Sequence, residues 1–340
     1  MKLSDFDYEL PSELIAQVPI EPRDSSRLLV LDRETGKVEH KHFYDFGDYL
    51  VPGDLVVVNR SRVVPARLFG NKQPGGGKVE ILLLERIDPL HWKALVGGKG
   101  LDIGKKVLLP DGLAAEVIQD LGGSQRLLAF NQEPDSVIER SGKVPLPPYI
   151  RTPLADPERY QTVFARQPGS AAAPTAGLHF TPELIDRLKQ NGVGFAEITL
   201  HVGLDTFAPV TEEDPSQHLI HSEWCSVSAE AVDLINRART AGKRIVAVGT
   251  TSVRTLESAA ATASDSKTVA PFEGRVKLFI LPGYKFRVVD SLITNFHLPR
   301  STLLMLVSAF AGRERILDLY RQAIDRQYRF YSFGDAMLLI

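Results

Sequence analysis

Apolar and polar positions change rhythm along the chain. Short β-type runs at 55–58, 79–84, 92–96, 106–109, 114–118 and 126–130 are broken by Pro74-Gly75-Gly76-Gly77, Gly97-Gly98, Asp111-Gly112 and Gly122-Gly123. Close, even spacing of strands and glycine turns predicts an all-β sandwich or barrel. Pro145, Pro147 and Pro148 cannot lie inside a regular element and mark the exit linker.

After Pro148 the period becomes that of an α/β fold. Thr181-Pro182 predicts a helix start, a capping hydroxyl followed by proline at the first helical position, and Asn191-Gly192 predicts its stop. Residues 194–201 read as a strand, Ser228 caps a helix to about Thr240, and the buried run 244–248 turns into a helix at Thr250-Thr251-Ser252. Strands are expected at 276–281 and 287–293, an apolar helix from Ser301 to Gly312, and a last helix over 314–327. Residues 262–269 read as a polar surface loop. Alternating strands and helices favour a mostly parallel sheet covered on both faces. Residues 6–50 carry one strand, 27–31, and are too short to stand alone. The expected organisation is therefore a discontinuous α/β domain, 1–53 and 149–340, with an inserted barrel over 54–148.

Composition narrows the class only slightly. The 340 residues are 44% hydrophobic and 24% charged, enough to fill a large core. The first ten residues carry three acids and no apolar core, so no secretory leader is expected. The apolar run 301–311 is too short to span a membrane. One cysteine, Cys225, allows no internal disulfide and suits a reducing cytosol. A net charge of −2 supplies no global attraction to polyphosphate, so nucleic-acid binding has to be local. Residues 55–79 contain no acid but hold Arg60, Arg62, Arg67, Lys72 and Lys78. A second basic cluster, Arg313, Arg315, Arg321, Arg326 and Arg329, is diluted by Glu314, Asp318 and Asp325. Either could equally be a solvated face.

Three stretches have compositions that packing alone does not require. Residues 170–179 are mostly small, which lets backbone approach a ligand, and they end in His179, an acid or base near neutral pH. Gly177 and Thr175 belong to this stretch, which could also be a plain helix-entry loop. Val248-Gly249-Thr250-Thr251-Ser252-Val253-Arg254 ends a strand and opens a helix at the sheet edge where α/β folds bind anions, with Arg254 as a bidentate clamp. Simple helix capping is the alternative. Neither a dinucleotide fingerprint nor a phosphate-binding P-loop occurs. Thr294-Asn295-Phe296-His297-Leu298-Pro299 places an amide and a histidine at a strand end. His201, His218, His221 and Glu223 fall in the same half; His218 and His221 have chelating spacing but no third ligand, so no metal is expected. No nucleophile elbow of a serine hydrolase is present.

These motifs resemble a known family. Phe6-Asp7-Tyr8-Glu9-Leu10-Pro11 with Leu14-Ile15-Ala16-Gln17, Arg23-Asp24-Ser25-Ser26-Arg27, Pro65-Ala66-Arg67-Leu68, residues 173–181, Thr199-Leu200-His201-Val202-Gly203, His221-Ser222-Glu223-Trp224, and 249–258, 292–312 and 328–338 are similar, in order, to the S-adenosylmethionine:tRNA ribosyltransferase-isomerases of queuosine biosynthesis. Arg60, Asp205, Cys225 and Val276 depart from the family's usual residues; none removes a candidate acid or base.

The resemblance implies an α/β domain with an inserted barrel. It also implies transfer and isomerisation of the ribosyl moiety of S-adenosylmethionine onto the 7-aminomethyl-7-deazaguanine (prequeuosine) base at the tRNA wobble position. Epoxyqueuosine forms, and adenine and methionine leave. S-adenosylmethionine is then a consumed substrate and no cofactor is expected. His179, His297 and Glu223 are the expected proton-transfer residues. Thr175, Gly177, His201, His221, Gly249, Thr251, Ser252, Arg254 and Asn295 are expected to line the donor pocket, and Arg60, Arg62, Arg67, Lys72 and Lys78 to meet tRNA. A cytoplasmic monomer without membrane contact is expected. Two other classes compete: an RNA-binding module without turnover, and an RNA methyltransferase. The histidine-rich half argues against the first and the missing glycine-rich donor loop against the second.

Overall fold

A computed structural model describes residues 1–203, 210–220, 222–264 and 268–340. Asp205 and His221, together with part of the expected surface loop (265–267), lie outside the described residues. The chain divides into two compact units, Met1–Arg62 with Pro147–Ile340, and Val63–Leu146.

The first unit is built on a nine-stranded mixed sheet. Its order is Phe272–Val276, Glu223–Val227, Gly194–Leu200, Leu55–Asn59, Ile245–Val248, Ser291–Asn295, Ala336–Leu339, Arg27–Leu31 and Val38–His42. The four central strands, Gly194–Leu200 to Ser291–Asn295, are mutually parallel. The flanks bring in antiparallel pairs. Leu55–Asn59 was expected to open the barrel. It instead lies in the middle of this sheet, and the compact barrel unit begins at Val63. The reason is visible in its composition: Leu-Val-Val-Val-Asn is apolar on both faces, as a buried parallel strand requires.

That double burial builds two cores. Leu55 and Val57 pack with Ile245, Val253, Leu256 and Ile235 on one face. Val56 and Val58 pack with Val248, Phe180, Leu184 and Phe43 on the other. The covering helices begin where the sequence marks them. Thr181 Oγ1 accepts from Leu184 N, Ser228 Oγ from Ala231 N and Ser301 Oγ from Leu304 N, each at 3.2 Å. The helices run Pro182–Gln190, Ala229–Thr240, Thr250–Ala261, Thr302–Ala311 and Arg313–Asp325.

The strands expected at 276–281 and 287–293 are displaced, to Phe272–Val276 and Ser291–Asn295. Between them Glu257, on the helix Thr250–Ala261 and 1% exposed, accepts from the backbone N–H groups of Arg287, Val288 and Val289 at 2.9–3.2 Å. A buried carboxylate thus takes donors that a strand partner would otherwise need.

The second unit is a closed antiparallel barrel in the order Gln125–Phe130, His91–Gly97, Lys78–Arg86, Arg67–Gln73, Lys106–Leu108 and Ala114–Gly122. Among the described residues no helix is long and apolar enough to cross a membrane.

Candidate active site

The strands Ile245–Val248 and Ser291–Asn295 end side by side, and a pocket opens beyond their C-terminal ends. One wall is Ala173, Pro174, Thr175 and Ala176; a second is Gly249, Thr250 and Thr251; a third is Thr294 to Leu298. The three stretches singled out in the sequence therefore meet. Tyr149, Tyr331 and Ser332 close the remaining side. Composition did not mark these last residues; the positive φ of Tyr331, 70°, becomes visible only in the folded backbone.

Gly249 is the hinge from strand to helix. Its φ of 85° lies where glycine is favoured, and its N–H donates to Ile293 O at 2.7 Å. The helix Thr250–Ala261 has no side-chain cap, so its first N–H groups open at the pocket with the positive end of the helix dipole. The buried Thr251 Oγ1 has no hydrogen-bond partner among the described residues. Ser252 is committed elsewhere, donating to Val248 O at 2.7 Å inside its own helix.

Arg254 is not the free clamp expected. It is 6% exposed, pairs with the 6%-exposed Glu223, and donates from Nε to Leu278 O at 3.1 Å. Glu223 also accepts from Gly203 N at 3.0 Å. Neither is among the described residues lining the pocket. The sequence reading missed this because spacing shows an arginine near a helix start but not the acid already holding it.

His179 lies behind the pocket wall. Its Nε2 accepts from Asn295 Nδ2 at 3.1 Å, and its Nδ1 lies 2.7 Å from Ser26 Oγ. With Nε2 accepting, Nδ1 carries the proton and donates to Ser26. Asn295 Nδ2 also donates to Tyr331 O at 3.2 Å, and its Oδ1 accepts from Thr175 Oγ1 at 2.9 Å. The ring stacks on Phe43 at 5.0 Å. Burial first, then the positive charges of Arg23 and Arg329, pulls the imidazole pKa down to about 3.

His297 lines the pocket itself. Its Nε2 lies 2.7 Å from Thr294 Oγ1, its backbone N–H donates to Tyr320 OH at 2.8 Å, and its carbonyl accepts from Tyr8 OH. Burial alone lowers its pKa to about 3. Both histidines are therefore neutral near pH 7.

Gly177 and His201, also expected in the donor pocket, are not among its described lining residues. Gly177 is buried, and a Cβ there would stand 3.0 Å from Thr162 Cγ2, so this glycine serves packing. His201 stacks on Trp224 at 5.0 Å and is pushed toward neutrality by burial. His218 lies 2.8 Å from Glu212, and no metal-holding group of three ligands occurs among the described residues. Of the basic set, Arg60 Nε donates to Thr199 Oγ1 at 3.1 Å and Arg62 pairs with Glu158, both in the α/β unit. In the barrel, Arg67 pairs with Glu80 at 3.1 Å, Lys72 donates to Lys99 O at 3.1 Å, and Lys78 is exposed.

Comparison with known proteins accounts for this arrangement. The family model described as "Queuosine biosynthesis protein" matches residues 3–339. An S-adenosylmethionine:tRNA ribosyltransferase-isomerase of Symbiobacterium thermophilum is 55% identical, and one of Carboxydothermus hydrogenoformans 53%, each over 100% of both chains. A crystal structure of S-adenosylmethionine tRNA ribosyltransferase from Thermotoga maritima is similar at 42% identity and TM-score 0.58, covering 99% of this chain and 100% of that one. The chain belongs to the queuosine biosynthesis protein family, the S-adenosylmethionine:tRNA ribosyltransferase-isomerases.

Proposed function

We propose that this enzyme transfers and isomerises the ribosyl moiety of S-adenosylmethionine onto the 7-aminomethyl-7-deazaguanine base at the tRNA wobble position. Epoxyqueuosine is formed, and adenine and methionine are released. The observation that carries the reading is the convergence at one sheet edge of an uncapped helix start, an unpartnered Thr251 hydroxyl and the neutral His297. The first two suit a carboxylate, here that of the methionine part of the donor.

The reaction needs a base for the acidic C–H beside the sulfonium and an acid for departing adenine. His297, neutral and at the pocket wall, is the proton-transfer residue placed to reach the donor. His179 acts through Asn295, fixing the amide so that Oδ1 faces Thr175. Glu223 and Arg254 brace the segment at Gly203 and Leu278.

S-adenosylmethionine is a consumed substrate, and no cofactor is required. The buried Cys225, its thiol pushed up to about 11 chiefly by burial, suits a reducing cytosol. Arg60, Arg62, Arg67, Lys72 and Lys78 contact tRNA phosphates, with Arg62 and Arg67 exchanging their carboxylate partners for phosphate. Incubation with S-adenosylmethionine and prequeuosine tRNA should release free adenine. S-adenosylhomocysteine in its place would mean methylation, and neither product would mean a binding module.

A further inference from the structure

Residues 275–287, Arg-Val-Lys-Leu-Phe-Ile-Leu-Pro-Gly-Tyr-Lys-Phe-Arg, contain four cations and no acid. In the α/β unit this stretch leaves the edge strand Phe272–Val276 and doubles back, so that Arg275, Lys277, Lys285 and Arg287 line one groove with Phe272 and Tyr284. All four cations are exposed. Lys277, Lys285 and Arg287 have no ion-pair partner among the described residues, unlike Arg62 and Arg67 in the other basic stretch.

The acids nearby offset only part of this charge. Glu257 is the one carboxylate among the groove's described lining residues, and it is 1% exposed and saturated by three backbone N–H groups and Tyr284 OH. Glu273 is exposed on the edge strand but does not line the groove. Charges on an edge strand often serve only to block strand addition. That accounts for Arg275; it does not account for Lys285 and Arg287, which lie on the returning segment across the groove.

We propose that this groove binds the phosphate backbone of the tRNA substrate. The inference rests on the tRNA reading above and adds a contact surface to it. Unpaired lysines and arginines release counterions when they meet phosphates, which makes affinity fall steeply with salt. Phosphate contacts of this kind set register on the RNA and carry no sequence information.

The test uses the full chain and the variant Lys277→Ala/Lys285→Ala/Arg287→Ala, all at exposed positions. The slope of log affinity for prequeuosine tRNA against log salt should flatten by about 0.7–0.9 per cation removed, and KM for tRNA should rise while KM for S-adenosylmethionine holds. A wild-type slope and an unchanged KM for tRNA would overturn the groove assignment. Wild-type enzyme run in parallel separates the two readings: if it releases no adenine, the functional reading has failed; if it does and the variant matches it, only the groove has.

Discussion

Two histidines 118 positions apart end up with the same depressed basicity for different ends. His297 borders the pocket, whereas His179 is one layer back with both ring nitrogens engaged. Replacing His297 by alanine should lower kcat by about 10²–10⁴-fold, the usual cost of a lost acid or base. His179→Ala and Asn295→Ala belong to one hydrogen-bonded unit, so their effects on kcat should not multiply; the double variant should fall close to the worse single one. Independent, multiplying losses measured in that cycle would separate His179 from Asn295. The sequence marked both histidines because their neighbours are small or polar. It could not rank them, since the Ser26 and Asn295 partners come from 153 and 116 positions away. The same limit hid Glu223 from Arg254.

Elements started where hydroxyl caps announced them, because a cap is a local signal. Strands over 276–293 were misplaced because the competing partner, Glu257, is remote in sequence. The turn that carries Tyr331 was legible only as a motif, and its constraint is now visible. A Cβ on Gly334 would lie 2.3 Å from Arg329 O and 2.6 Å from Phe330 C, backbone atoms that cannot swing aside. Asp335, 1% exposed, anchors the turn by accepting from Arg329 N at 2.8 Å and Arg27 N at 2.9 Å. Gly334→Ala should cost about 1–3 kcal/mol in a denaturant melt, the usual penalty of overpacking. It should also raise KM for S-adenosylmethionine by moving the Tyr331 wall. A variant with wild-type stability would show that the turn has room to open.

At the scale of the whole molecule, the buried histidines set a pH limit. In the unfolded chain they take up protons near pH 6.5; in the folded one His179 and His297 resist until about pH 3. Stability is thus at its plateau above pH 6.5 and is lost as pH falls, because the unfolded state binds more protons throughout that window. The slope is about 1.4 kcal/mol per pH unit for each histidine. Urea midpoints at pH 7.5, 6.0 and 5.0 should decline accordingly, and a flat series would mean that these rings are protonated in the native state.

The fold class, a helix-covered sheet with an antiparallel barrel, was readable from rhythm; the strand Leu55–Asn59 was not, because only the sheet reveals its two-faced burial. That strand has a further meaning for biosynthesis. Leu55–Asn59 waits for Gly194–Leu200 and Ile245–Val248, and Arg27–Leu31 waits for Ala336–Leu339. The barrel, by contrast, is complete within Val63–Leu146. At about 5–20 residues per second, a ribosome would finish the barrel roughly 10–40 s before it reaches residue 339. Until those partners emerge, Leu55–Asn59 has neither of its neighbours and Arg27–Leu31 has only Val38–His42, so the first sixty residues are a segment in need of protection during synthesis.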